Sequence, residues 1–419
     1  MVRFKQILCV LLFTILSGSM MAQNNTNSPY TRYGYGQLSD QGFGNSKAMG
    51  GIAYGVRDRL HINPSNPASY TAVDSLTFLF DVGVTLQNTN FSDGKTKINA
   101  KNSSFDYVAM QFRLRRGMGL TLGLLPYSNV GYNVKENIES TEDPSMNHTT
   151  NYYGEGGMHQ LFLGLGMNVF KNFSVGANIS YLWGETSKSR AVIYNSSAIY
   201  SFSEETNVHV KDIKLDFGAQ YTHRFNRKNE LIAGVTFTPK RSLNNEAYVE
   251  TASSILVRKD TVATFEMPNS FGVGFTYRYD NRLTVGLDYT LQKWGDITYM
   301  NTENAFCDYS KIAFGAEFLP SYQGRSLFSS LKYRVGAYYS EPYYKAQDAD
   351  TRATYRAAKE YGVTAGIAVP MVRSRTVLNL SVQYSKVNGQ KDNIINENYL
   401  RFNIGITFNE RWFAKLKVN

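Results

Sequence analysis

The most constraining feature of this sequence is a period of two that repeats through most of the chain. Between Leu76 and Phe408, segments of roughly ten residues alternate apolar side chains with small or polar ones, as strands with one apolar face do. In the last segment the apolar set is Leu400, Phe402, Ile404, Ile406 and Phe408. Fourteen such segments begin near Leu76, Phe105, Met118, Met158, Phe173, Val208, Leu231, Ser270, Leu283, Lys311, Leu327, Tyr361, Thr376 and Tyr399. The pattern predicts an all-β fold.

The connections between these segments are short and long in turn. Lys171-Asn172 and Asp280-Asn281 are tight turns, whereas residues 128–157 and 241–267 are long polar stretches. This rhythm is typical of outer-membrane barrels, which have short periplasmic turns and longer extracellular loops. Aromatic residues near strand ends, such as Tyr181, fit interfacial girdles and disfavour the alternative, a soluble β-sandwich. We therefore predict a 14-stranded antiparallel transmembrane β-barrel over residues 76–419, in contact with outer-membrane lipids.

Residues 1–22 are predicted to be a signal peptide, so the protein is expected to be exported to the cell outer membrane. Arg3 and Lys5 precede an apolar run, and Ala22 ends a small-residue cleavage site. No later apolar run approaches the roughly 20 residues of a spanning helix, which excludes polytopic helical transporters and receptors. The formal charge of +10 is spread along the chain, so nucleic acid is not expected as a partner.

Residues 23–75, called here the N-terminal segment, lack the strand alternation and are rich in Gly, Asn and Tyr. We predict that this segment fills the barrel as a hatch or plug. The inward face of the predicted barrel carries charges of both signs, and such charges need partners or water. It also carries many glycines, which either make room for the N-terminal segment or relieve strand curvature.

A short motif occurs in the N-terminal segment just before the first strand. Its residues are Gly50, Gly51, Asp58, Asn66, Pro67 and Ala68. In this motif and in its fourteen strands, the chain resembles the FadL-type family of outer-membrane hydrophobic-compound channels. The Tyr-rich start, the doubled Asn-Pro and the stretch 408–413 resemble the divergent branch found in Bacteroidota. The resemblance implies an N-terminal hatch, passive diffusion of a long-chain apolar ligand, and exit through a wall gap where the third strand is kinked.

The third predicted strand contains a candidate for this wall gap. It runs from Met118 to Leu124 and then meets Pro126, with Gly131 following. Proline has no amide N–H to donate to a strand ladder, so it marks edges and interruptions. Pro126 therefore either marks the gap or simply ends the strand at the extracellular rim.

Bulky apolar residues on an otherwise small or polar inward face are candidates for a ligand site, because such pockets combine apolar walls with a few polar anchors. The candidates are Phe105, Tyr107, Phe162 and Leu182, with Leu125 beside the possible gap and Arg113 or Lys332 as head-group partners. The alternative is that the apolar side chains pack against the N-terminal segment.

No catalytic residue, metal site or cofactor is predicted. The five histidines lack metal-ligand spacing. A Ser-His hydrolase site at His159 and Ser180 is disfavoured, because alternation places Ser180 in mid-strand and His159 at a strand start.

Two functions fit the sequence. The first is a passive channel for long-chain hydrophobic small molecules such as fatty acids. The second is a non-transport accessory or structural subunit of an outer-membrane machine for protein insertion, secretion or surface-lipid handling. The charged inward face and the polar loops keep the second function open.

Overall fold

The structure, a computed structural model, describes residues 26–75, 77–94, 96–140, 143–196, 198–253, 256–261, 264–321, 326–347, 354–371, 375–389 and 395–411. The predicted signal peptide lies outside these residues. Within them, fourteen antiparallel strands form a closed barrel, which confirms the predicted fold. The strands are β1 (Thr77–Ser92), β2 (Lys97–Arg115), β3 (Met118–Ile138), β4 (His148–Phe170), β5 (Phe173–Tyr194), β6 (Phe202–Arg224), β7 (Asn229–Thr238), β8 (Ser270–Tyr279), β9 (Leu283–Gln292), β10 (Tyr309–Phe318), β11 (Lys332–Glu341), β12 (Ala358–Pro370), β13 (Val377–Gly389) and β14 (Asn396–Arg411).

Each strand pairs with its neighbours in sequence, and β14 closes the barrel by pairing with β1, where Gly405 lies opposite Gly83. The alternation seen in the sequence is the alternation of the two faces. On β8, Phe271 and Phe275 are exposed on the outside, whereas Gly272 and its like-facing neighbours are buried inside. Such an apolar outer band suits a lipid environment.

The barrel wall is much taller on one side than on the other. Strands β4 and β6 each have 23 residues, whereas β7 and β8 have 10. At about 3.3 Å per residue, the tall strands exceed the roughly 25 Å apolar band even when tilted by about 40°. Much of the polar stretch 128–157, predicted as a loop, is therefore strand. The prediction was wrong there because both faces of a strand above the membrane are polar, so no alternation appears.

The described residues also form shorter strands and helical turns. The other strands are Gln37–Leu38, Arg241–Ser242, Asn245–Ser253, Val257–Thr261, Glu266–Met267, Thr298–Tyr299, Thr302–Glu303, Lys345–Gln347 and Thr354–Arg356. The α-helical turns are Gly44–Lys47 and Leu327–Ser330, and the 3-10 turns are Pro29–Arg32, Pro67–Ala72, Pro144–Met146 and Trp294–Asp296. In the described part of the chain, no helix is long and apolar enough to cross a membrane.

The described part of the N-terminal segment, residues 26–75, contacts the inward face of strands all around the barrel and so lies inside it. The backbone of this segment approaches the inward glycines closely: Tyr70 lies against Gly119, and Gly50 lies against Gly336. A side chain at the following inward glycines would meet the N-terminal segment: Gly119, Gly164, Gly166, Gly176, Gly218, Gly234, Gly272, Gly274, Gly286, Gly315, Gly336, Gly366 and Gly405. The glycines thus make room for the segment.

The wall is interrupted between β2 and β3. The ladder between these strands begins at the Arg115–Met118 turn and ends where Val108 lies opposite Leu124. Above that point β2 stays paired with β1, and β3 continues to Ile138 paired with β4. Among the described residues, no pairing joins β2 to β3 over this upper half.

Candidate ligand site and the break in the barrel wall

Pro126 lies at the start of the unpaired edge of β3. The strand does not end there, so the rim interpretation of Pro126 was wrong. The register between β3 and β4 shifts between Pro126 and Ser128, which is the bulge expected near a proline in a sheet. The break in the wall therefore coincides with the residue that the sequence marked.

The N-terminal segment covers the free edge of β3. Its short strand Gln37–Leu38 pairs antiparallel with β3, with Leu38 opposite Ser128. Ser39 N donates to Tyr127 O at 2.9 Å. Higher up, the Thr31 hydroxyl contacts both backbone groups of Gly131 at 3.2 Å. The N-terminal segment therefore supplies hydrogen-bond partners to backbone groups of the β3 edge. Few backbone hydrogen bonds join the segment to this edge, so the edge can be uncovered without breaking the hydrogen bonds between barrel strands.

Three predicted ligand residues, Tyr107, Leu125 and Phe162, lie together in one apolar cluster below the break. The N-terminal segment already fills this cluster. The rings of Phe43 and Tyr107 stack with centroids 3.7 Å apart, and Tyr107 Oη accepts a hydrogen bond from Gly44 N at 2.9 Å. In this state the three side chains pack against the N-terminal segment, as the alternative interpretation proposed. The cluster is Phe43, Ile62, Tyr70, Val73, Leu79, Tyr107, Ala109, Leu125 and Phe162.

Phe105 does not follow the alternation that placed it inside. A register shift between Gly83 and Val84 leaves Asp106 as an extra residue, so that Phe105 pairs with Val84, whose side chain is on the outer face. The inward position is used instead by Asp106, which forms an ion pair with Lys47 at 2.7 Å. A bulge of this kind cannot be seen as a break in apolar alternation, because Phe105 remains apolar on either face.

Leu182 is buried, but in a different place. It belongs to an aromatic roof that closes the extracellular end of the interior. There the N-terminal Tyr35 contacts Trp294, with ring centroids 5.6 Å apart, and Trp294 stacks on Tyr343 at 4.4 Å. The Tyr-rich start of the N-terminal segment was the sequence signal for this roof, but its partners come from distant parts of the chain.

The two predicted head-group partners lie at the other end of the barrel, near the short turns. Arg113 is partly exposed, and its Nη1 donates to Ser75 Oγ at 2.6 Å. Lys332 starts β11 and pairs with Glu317 at 2.9 Å and with Asp58 at 3.8 Å. Neither residue is near Leu125, so the structure does not bring them together with the apolar candidates.

The motif residues anchor the lower part of the N-terminal segment. Asn66 caps the 3-10 turn that Pro67 begins, accepting from Ala68 N at 3.2 Å, and its amide donates to Tyr54 O at 2.8 Å. Gly50 has a φ of 68°, and its N–H donates to Thr364 Oγ1 of β12 at 2.9 Å. Gly51 also has a positive φ, of 90°.

Asp58 belongs to a buried charged network between the N-terminal segment and the wall. Arg334 donates to Glu317 at 2.7 Å, and its Nη2 lies 3.4 Å from His61 Nε2. Burial opposes ionisation of Asp58, but Lys332 and other cations outweigh it, so the pKa of Asp58 lies well below its usual value. Burial lowers the pKa of His61 to about 4, against the attraction of Asp58. His61 is therefore neutral at pH 7.

A polar cavity of about 290 Å³ lies between the N-terminal segment and strands β9 to β14, β1 and β2. Its lining includes charged groups that the sequence did not single out as a site: Asp40, Lys47, Asp106, Asp288, Lys311, Glu360, Glu397 and Arg401. Burial opposes ionisation of Asp40, but Lys311 and Lys47 hold its pKa below the usual value. Among the described residues, no group of three His, Cys, Asp or Glu could hold a metal ion.

The model of the BamG family matches residues 1–419, the whole chain. The chain belongs to the BamG family. No curated protein matches its sequence at a significant level.

The fold of this BamG-family chain is also that of solved FadL-type channels. A FadL homologue from Pseudomonas aeruginosa matches with a TM-score of 0.60 at 12% identity, over 89% of this chain and 99% of that one. The toluene transporter TbuX of Ralstonia pickettii matches with a TM-score of 0.57 at 13% identity, over 88% and 98%. The CymD monoaromatic hydrocarbon channel matches with a TM-score of 0.59 at 13% identity, over 91% and 100%. At this identity the similarity concerns the fold.

Proposed function

We propose that the protein is an outer-membrane barrel that passes long-chain hydrophobic small molecules, such as fatty acids, passively and without catalysis. The observation that carries the proposal is the break between β2 and β3 above Val108 and Leu124. A closed barrel that served only as a scaffold would be expected to continue this ladder, whereas here a short strand of the N-terminal segment covers part of the β3 edge instead. An opening in the wall offers an apolar molecule a sideways exit into the bilayer.

The N-terminal segment is the gate in this proposal. Only the pairing of Gln37–Leu38 and a few neighbouring bonds hold it on the edge of β3. When this part leaves, the edge opens, and withdrawal of Phe43 from Tyr107 would free the apolar cluster for an acyl chain. The solved relatives described as a hydrocarbon channel and a toluene transporter support a hydrophobic cargo.

The test is binding of a spin-labelled fatty acid to the purified barrel. Native protein should bind saturably, and Phe162→Asp should weaken binding at least severalfold, because an unpaired charge against an alkyl chain costs several kcal/mol. Phe328→Asp, the same change at a side chain that is 71% exposed, is the matched control and should bind normally. If the fatty acid shows no saturable binding to the native protein, the proposed channel function is refuted.

A second function, an accessory subunit of an outer-membrane machine, is favoured by the state of the interior. Phe43 packs in the cluster of Tyr107, Leu125 and Phe162, the aromatic roof covers the extracellular end, and the polar cavity is lined by charges. A filled barrel of this kind suits a scaffold that presents its tall outer wall to other subunits. Mild extraction of the tagged barrel from native membranes should then recover stoichiometric membrane partners. Recovery of the barrel alone, with saturable fatty acid binding, would favour the channel.

A further inference from the structure

We propose that the polar cavity binds a zwitterionic head group, with an ammonium and a phosphate close together, as in a phosphatidylethanolamine that enters from the bilayer through the wall break. This inference rests on the proposed function for its route, because the lipid would use the same opening. It adds a ligand chemistry that a fatty acid does not have.

The cavity holds charges of both signs that lack ion-pair partners. Among the described residues, Lys311 and Arg401 have no carboxylate within 4.0 Å, and Glu360 and Glu397 have no cation within that distance. Glu397 is 1% exposed and accepts hydrogen bonds from the Ser28 and Tyr399 hydroxyls. Charges held in a restricted interior need a partner or ordered water. An anion would satisfy the cations and leave the carboxylates, whereas a zwitterion satisfies both.

Hydrogen bonds hold these charged side chains in place and leave them able to bind a ligand that carries both an ammonium and a phosphate. Tyr338 Oη donates to Glu360 at 2.7 Å, and Ser28 Oγ donates to Glu397 at 2.7 Å. A carboxylate accepts about four hydrogen bonds, so each retains capacity for an ammonium. Arg401 donates from Nε to Gln87 Oε1 at 2.7 Å and from Nη1 to Ser385 Oγ at 3.4 Å, and its five N–H donors leave capacity for a phosphate.

Aromatic rings line the same cavity and suit an ammonium ion. Two of these rings already carry protein cations: Lys311 Nζ lies 4.6 Å from the centroid of the Tyr338 ring, and Arg401 lies 4.3 Å from that of Tyr399. Tyr309 and Tyr344 also line the cavity. Rings next to carboxylates are the usual surroundings of bound ammonium groups.

The position of the cavity points to a lipid as the source of this head group. Its lining reaches both edges of the break, with Ser104 and Asp106 on the β2 side and Pro126 and Asn129 on the β3 side. A head group in the cavity can therefore remain joined to acyl chains that extend outward through the break. Asp288 also lines the cavity and is 4% exposed, and its Oδ2 accepts hydrogen bonds from Ala53 N and Tyr54 N of the N-terminal segment.

The test is calorimetric titration of the full chain, purified in maltoside detergent, with three probes. Dihexanoyl phosphatidylethanolamine carries both poles, dihexanoyl phosphatidylglycerol lacks the ammonium, and free phosphoethanolamine lacks the chains. Native protein should bind the ethanolamine lipid at least tenfold more tightly than either of the others. Equal binding of the two lipids would overturn the zwitterion assignment, and tighter binding of free phosphoethanolamine would overturn the lipid source.

Two variants locate the site. Lys311→Met removes one of the two cations and Glu360→Gln removes one of the two carboxylate charges, and each variant should weaken ethanolamine-lipid binding at least tenfold. Lys171→Met, in an exposed turn, is the matched control. Binding within twofold of native in both cavity variants would overturn the inference, and the native comparison of lipids stands even if a variant fails to fold. A spin-labelled fatty acid is titrated in parallel. If the native protein binds the fatty acid but not the ethanolamine lipid, the head-group inference is refuted and the channel function is retained. If it binds neither, the channel function is refuted as well.

Discussion

Gly50→Ala should loosen the N-terminal segment, because this residue is both conformationally special and sterically enclosed. Its φ is 68°, and an added Cβ would lie 2.7 Å from Phe314 O and 2.9 Å from Ala337 O. Left-handed backbone costs a non-glycine residue about 1–2 kcal/mol. Forcing a methyl group into a packed site costs about 1–3 kcal/mol more. The docked state of the segment should therefore lose roughly 2–5 kcal/mol.

Hydrogen–deuterium exchange of peptides covering residues 44–56 measures this loss. Since about 1.4 kcal/mol corresponds to tenfold, exchange should accelerate about thirtyfold or more while the barrel strands keep their protection. Gly94→Ala is the matched control: its φ is 92°, and an added Cβ there meets nothing within 4 Å. The control carries the backbone strain alone and lies far from these peptides. Exchange within threefold of native in Gly50→Ala would refute the packing described for the segment.

Three other changes test the interior. Between pH 6.5 and about 4, docking of the N-terminal segment should weaken by roughly 3 kcal/mol, because His61 has a folded pKa of about 4, below its unfolded value of 6.5, and the undocked segment binds the extra proton. Exchange corrected for intrinsic rates should show this dependence in native protein and not in His61→Asn. Arg334→Met should leave Glu317 with Lys332 as its cation partner, cost about 1.5–3 kcal/mol for the lost charge-assisted hydrogen bond, and lower the temperature at which the barrel loses its folded mobility on gels, whereas exposed Arg227→Met should not. Deleting Asn24–Met49 should raise ion conductance in planar bilayers, and unchanged conductance would mean that another part of the chain blocks the lumen.

The sequence predicted those parts of the fold that depend on contact with lipid. Alternation marks only strand portions with one apolar face, which is why the count of fourteen strands was right and the polar upper half of β4 was missed. The inward glycines were noted, but their purpose depended on contacts between Gly336 and Gly50 that join distant parts of the chain. Pattern alone could not establish such long-range contacts.

The site was less predictable than the fold. Pro126 could be recognised locally, since a proline disturbs a ladder wherever it lies. The placement of Phe105 depended on the Asp106 bulge, which leaves no trace in an alternation of apolar residues. Lys332 was expected near a ligand because its partners, Asp58 and Glu317, could not be known before the chain was folded.

The most direct test of the channel account locks the N-terminal segment to the edge of the break. Leu38 and Ser128 lie opposite each other in an antiparallel pair, where Cα atoms are about 4.5–5.5 Å apart, within the range that a disulfide spans. In Leu38→Cys/Ser128→Cys, oxidised protein in vesicles should no longer transfer a spin-labelled fatty acid into the bilayer, and reduction should restore transfer. The single variant Leu38→Cys should transfer equally under both conditions. Equal transfer by the oxidised and reduced double variant would contradict exit through the break between β2 and β3.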